Sequence, residues 1–235
     1  MLSPSDFFDL DGYAHSALFE GVEYVWEVID RIHMYALANA VAGVRGQVME
    51  GAFLIGDRIS IGPGTVVEPG VVIKSPCVIG RDAEIRQGAY IRGGVVIGDG
   101  CVVGHASELK NAVLLDGAAA PHFNYVGDSV LGRRVNLGAG TILSNVKIVG
   151  KTVVVTVGGR KYDTGLRKFG AIVGDDTQTG CNSVLNPGTL LGRRCRVYPC
   201  ASVRGYHPDG TVIRLRQQIE AGVMDAASGG GARVP

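Results

Sequence analysis

His122 and Tyr125 stand three residues apart in the string Pro121-His122-Phe123-Asn124-Tyr125-Val126-Gly127-Asp128. An imidazole titrates near neutral pH, so His122 is a candidate general base. Downstream come Asn136-Leu137-Gly138-Ala139-Gly140-Thr141, then Asn145, then Arg167-Lys168. Upstream, Arg92 and Lys110 each follow an aliphatic residue, Ile91 and Leu109, and lie eighteen residues apart. Cations stacked at that spacing call for an anion between them, and phosphate suits the pair. The plainer reading is a structural histidine beside a solvated charged edge. A metal reading is also open: His105 and His122 are seventeen residues apart, but zinc needs a third ligand, and His15, His33 and His207 are remote in sequence. We therefore expect no metal site.

A six-residue period positions these groups. From Ile55 to Leu115 an aliphatic residue occupies every sixth position, commonly followed by Gly or a polar residue. Neither a 3.6-residue helix nor strand alternation has that period. It fits a parallel β-helix in which three hexapeptides make one triangular coil. The aliphatic residue points inward. A second, smaller inward position lies two residues before the next one: Ile59, Thr65, Val71, Cys77, Ala83, Ala89, Val95, Cys101. The register lapses after Leu115, resumes at Leu131, Leu137 and Leu143, lapses over 146–172 and resumes from Val173 to Val203. Breaks in a rigid repeat are where binding loops sit, and these two breaks hold His122 and Lys168 and border Asn145.

The 235 residues carry 36 Gly and a net charge of +1, which suits many tight corners and excludes a nucleic-acid or anionic-membrane partner. Cys77, Cys101, Cys181, Cys195 and Cys200 lack metal spacing and read as reduced core or corner residues. No signal peptide and no apolar run near eighteen residues is present, so a cytoplasmic protein is expected. Residues 1–45 read as a helical segment, with a start at Ser3-Pro4-Ser5-Asp6 and an amphipathic helix from Leu18 to His33, capping the first coil or meeting a neighbouring subunit. Residues 46–216 read as the β-helix, with a projecting arm over 147–170 whose Gly158-Gly159 turn closes a β-hairpin. Residues 217–235 form a tail, partly disordered.

These strings resemble the acetyltransferase domain of bifunctional amino-sugar-1-phosphate acetyltransferase/sugar-1-phosphate nucleotidylyltransferases, bacterial and archaeal. The resemblance covers about 80–205 and rests on Tyr90-Ile91-Arg92, Glu108-Leu109-Lys110-Asn111-Ala112, the His122 string, the Asn136 string, Ser144-Asn145, Asp163-Thr164-Gly165-Leu166-Arg167-Lys168 and Ile172-Val173-Gly174-Asp175. It implies a left-handed coil and a homotrimer. It implies His122 as base, Asn145 orienting the reacting groups, and Arg92, Lys110, Tyr125, Asn136 and Lys168 on the sugar phosphate. Ala139 and Cys181 would contact acetyl-CoA. The nucleotidylyltransferase domain has no counterpart here, and Cys181 and Tyr198-Pro199 depart from the smaller residues common on the acetyl-CoA side. The expected function is acetyl-CoA-dependent N-acetylation of an amino-sugar 1-phosphate, glucosamine 1-phosphate foremost, in nucleotide-sugar and cell-envelope synthesis. The alternative is a non-catalytic sugar-phosphate or nucleotide-sugar binding trimer, or a scaffold.

Overall fold

The computed structural model describes residues 2–41, 43–150 and 152–221. Most of the expected tail, 222–235, lies outside them. Short parallel strands stack into a three-faced solenoid. The first face climbs through Gln47–Val48, Val66–Val67, Glu84–Ile85, Val102–His105 and Ala119–His122, then Asn136, Gln178–Thr179, Arg196–Val197 and Val212–Ile213. The second runs from Phe53–Ile55 to Ser202–Val203, and the third from Ile59–Ile61 to Tyr206–His207.

Ile61, Val67, Ile73, Ile79, Ile85, Ile91, Ile97, Val103 and Leu109 fill the interior, with the smaller inward residues between them. The strict period is shorter at both ends than the sequence suggests. In the first coil Leu54, not Ile55, pairs with inward Ile73, and Ile55 is 49% exposed. At the other end Leu114 takes the interior place expected of Leu115, which faces outward into a second apolar cluster. The cause is local. Glu108–Leu114 and Tyr125–Leu131 run unbroken from the second face to the third, turning the corner on Asn111 (φ 48°) and Asp128 (φ 46°). Asn and Asp tolerate this left-handed backbone best among residues with a side chain. Each such corner saves a residue, so these coils are seventeen long, pairing Val103 with Ala120 and Leu109 with Val126.

The third face has an apolar exterior as well. Val78, Val96, Val113, Val130, Ile172 and Leu190 stack in register and all are buried. The N-terminal segment covers them, so it packs along the third face instead of capping the first coil. Its helix α1 (Pro4–Phe7) starts where the sequence predicts, on a Ser3/Asp6 capping box. The second helix, α2, is Val28–Asn39, shorter and later than the stretch from Leu18; two 3₁₀ turns, Ser16–Phe19 and Val25–Glu27, precede it. Phe7, Phe8, Leu18, Trp26, Ile29 and Ile32 bury against the face, each worth roughly 1.5–3 kcal/mol of apolar transfer. Asp175 fastens the start by accepting Asp9 N–H and Arg133 N–H, both at 2.7 Å.

The hairpin forms over Val154–Val157 and Arg160–Asp163. Gly158 and Gly159 both have positive φ, 56° and 81°, as its two-residue turn requires. One side is anchored: Val153 and Val155 are buried, and Tyr162 meets Trp26 at 5.9 Å between ring centroids.

Candidate functional site

His122 ends its first-face strand at the corner leading to the second face, directly above His105 in register. Hydrogen bonds continue up this edge: Phe123 N–H to His105 O, Gly140 N–H to His122 O, Asn182 N–H to Ala139 O. His122, Ala139 and Cys181 therefore occupy three successive coils of one edge. The His122 side chain is exposed. Its backbone is fixed from inside by Asn124, which is 2% exposed. The Asn124 Oδ1 accepts His122 N–H at 3.0 Å, its Nδ2 donates to Gly138 O at 2.9 Å, and its N–H donates to Ser107 Oγ at 3.1 Å. Buried polar groups need partners, and these inward Ser and Asn side chains find them in the corner's own backbone. Phe123 completes the turn at φ 51° and packs edge-on to His105. No group of three or more His, Cys, Asp or Glu suited to a metal ion occurs among the described residues, so His105 and His122 pair in register without a third ligand.

Across the second face, the opposite edge holds a polar network centred on Asp128, which is 3% exposed. Lys110 Nζ reaches its two carboxylate oxygens at 2.8 and 2.9 Å, Asn111 Nδ2 donates to it at 3.1 Å, and Asn145 Nδ2 donates as well. The same Asn111 amide donates to Ile29 O of α2, tying the helix to this corner. The excursion that leaves the solenoid after Asn145 returns with Lys168 bridged to Val146 and Phe169 N–H bonded to Asn145 O. Lys168 thus stands exposed beside Asn145. Tyr125 lies between the two edges. Its hydroxyl and the Asn145 amide both crowd the place a side chain on Gly127 would take, at 2.6 and 2.8 Å from an ideal Cβ. Burial, then Glu108 and Asp128, raise the Tyr125 hydroxyl above its ordinary pKa, against a hydrogen bond from Asn145.

Arg92 and Lys110 do stack on adjacent coils, since Leu109 pairs with Ile91. Their anions, however, are supplied internally: Glu108 lies 2.9 Å from Arg92, and Asp128 holds Lys110. Asn136 sits exposed on the outside of the first face, between Ala119 and Gln178, and does not join the Asp128 network. Sequence reasoning passed over Asp128, Asn124, Glu108 and Asn111. Asp128 alone was conspicuous, as a charge within the apolar run Val126–Leu131.

A cavity of about 550 Å³ opens above this edge, between the excursion (Val146, Ile148, Val154) and the outer column Ser144, Asn186 and Arg204. It lies on the opposite side of the second face from His122, Ala139 and Cys181.

A domain model described as the GMPPB C-terminal domain matches residues 73–158. The chain is 43% identical over 96 residues to a bifunctional sugar-1-phosphate nucleotidylyltransferase/acetyltransferase of Sulfurisphaera tokodaii, covering 41% of this chain and 24% of that protein. It is 33% identical over 167 residues to a bifunctional protein GlmU of Methanococcus aeolicus, covering 71% of this chain and 40% of that one. A solved Arabidopsis UDP-N-acetylglucosamine acyltransferase aligns over 70% of this chain and 68% of its own at 14% identity, with a TM-score of 0.29. The resemblance read from the motifs is borne out, and the matched curated relatives are much longer proteins. No helix among the described residues is long and apolar enough to cross a membrane.

Proposed function

We propose that this chain is an acetyl-CoA-dependent N-acetyltransferase acting on an amino-sugar 1-phosphate, glucosamine 1-phosphate first, with His122 as general base. The observation that carries this reading is convergence. Lys110, Tyr125, Asn145 and Lys168 come from four separate segments, and Asp128 and the returning excursion gather them at one side of the second face. The Sulfurisphaera relative, a sugar-1-phosphate nucleotidylyltransferase/acetyltransferase, supports an acetyl acceptor of this class.

In the reaction, neutral imidazole of His122 takes a proton from the substrate ammonium. The freed amine attacks the thioester carbonyl, a C–N bond forms, the C–S bond breaks, and the proton lost by the attacking nitrogen goes to the departing sulfur, releasing CoA thiol. Much of the rate then comes from holding amine and thioester in line. Asn145, held by Asp128, orients the amine or the acetyl carbonyl, Ala139 and Cys181 flank the acetyl-CoA arm, and Arg92, Lys110, Tyr125, Asn136 and Lys168 take the sugar phosphate. His122 and the Asn145 edge are a face apart in one chain, and Asn136 faces away from both. A homotrimer that sets one copy's His122 edge against another's Asn145 edge would complete the site. The protein would act in the cytoplasm, in the synthesis of cell-envelope nucleotide sugars.

The test is thiol release from acetyl-CoA across a panel of amino-sugar 1-phosphates. Release with glucosamine or galactosamine 1-phosphate, abolished in His122→Ala, supports the reading. One observation favours the non-catalytic reading: Tyr198 is 47% exposed beside the Cys181 coil, with Arg214 stacked 4.8 Å over its ring. Thermal shift with acetyl-CoA separates the two, since a ligand at about 100 times its Kd stabilises by ~2.7 kcal/mol.

A further inference from the structure

The outward column of the second face continues below Arg92. Ile73 pairs with Ile91, which sets Lys74 beside Arg92 as Arg92 is set beside Lys110. Charge pairing differs down this column. Arg92 is matched by Glu108 and Lys110 by Asp128, so this quartet is neutral. Lys74 has no carboxylate partner among the described residues; its ammonium lies over the Tyr90 ring, 5.2 Å from the centroid. Tyr90 in turn neighbours Glu108 in register. A phosphate dianion arriving at this face therefore meets two spent ion pairs and, one coil lower, a cation committed only to an aromatic ring.

We propose that Lys74, with Tyr90 as its platform, is a further substrate-positioning residue that supplies the phosphate with the net positive charge Arg92 and Lys110 lack. This rests on reading the second face as the site of a phosphorylated amino sugar. Successive strands are about 4.8 Å apart, so a lysine one coil from Arg92 spans the gap by swinging its flexible stem off the ring. A half-buried cation–π contact of this kind is worth less than a charge-assisted bond to phosphate, so the exchange favours the substrate. Lys168, at the base of the excursion, would approach from the other side.

Steady-state acetyl transfer by the full chain, with glucosamine 1-phosphate and with glucosamine, tests this. Lys74→Ala should raise the KM for the phosphorylated sugar roughly tenfold more than that for glucosamine, with kcat at saturation largely kept, and Lys74→Arg should recover most of the loss. The difference should shrink as salt is added. Equal effects on the two sugars, or none, overturn the assignment. If the wild type acetylates neither sugar, the transferase reading fails separately, and Lys74 is then judged by binding alone. Inorganic phosphate should raise the wild-type Tm more than that of Lys74→Ala; equal shifts reject the lysine's role.

Discussion

At the residue scale, the two sides of the second face differ in kind: one presents an exposed imidazole, the other a buried carboxylate. His122 has an exposed side chain on a rigid corner, an arrangement that leaves the imidazole free to meet a substrate while its backbone cannot drift. His122→Ala should fold normally and lose about 10²–10⁴ in kcat, the range of a general base; a rate within threefold of wild type removes it from the mechanism. Asp128 is the opposite kind of residue, buried and occupied on all sides by Lys110, Asn111 and Asn145. Its removal strands a half-buried ammonium and two amides, which costs about 1–3 kcal/mol. For a domain of this size that is a fall of roughly 2–12 °C in Tm. Asp128→Ala should therefore melt measurably lower in a calorimeter, whereas His122→Ala should not.

At the element scale, the covering of the third face by the N-terminal segment depends on groups that titrate. His15 is part-buried, with Nδ1 3.2 Å from the Tyr35 hydroxyl and its ring edge-on to Tyr13 and Tyr35. Burial lowers its pKa, and Asp116 and Asp99 pull weakly the other way. The folded state thus prefers neutral His15. Its stabilising share is present above the ordinary histidine pKa and is lost as pH falls through the lowered folded value. Trp26 is buried in the same layer, so its fluorescence should report loosening on acidification below about pH 6.5. His15→Gln should flatten that transition; a transition of identical midpoint in the variant would clear His15 of responsibility. The sequence revealed the start of α1 at Ser3-Pro4-Ser5-Asp6 but misplaced α2, because Val22–Glu27 share the apolar spacing of a helix while supplying instead the turns that seat Trp26 on the solenoid.

At the scale of the whole molecule, what was legible in the sequence was whatever repeats. The interior aliphatics, the smaller inward positions and both breaks could be read because each rung obeys the same packing rule. The Asp128 network could not, since it arises where that rule fails: seventeen-residue coils turn on Asn111 and Asp128, and the excursion over 146–167 returns Lys168 to Asn145, neither of which leaves a periodic trace. Nor did periodicity show that the third face is apolar outside as well as in, although runs such as Val95-Val96-Ile97 carry the mark of strands buried on both sides. That covered face constrains assembly. A trimer of this chain cannot bury the apolar exterior of the third face in its contacts without displacing its own N-terminal segment. Ile148 and Val149 stand at 103% and 79% exposure on the excursion, next to Val146 and Val154, and exposed apolar clusters of this kind mark interaction surfaces. We expect light scattering to find three copies of the 24.6 kDa chain, and Ile148→Asp with Val149→Asp to yield monomers whose circular dichroism is that of the parent. Because His122 and Asn145 lie on different edges of one chain, those monomers should also lose acetyl transfer. A monomeric variant with full activity would mean that a single prism holds the whole site, and would sink the shared-site arrangement along with the trimer.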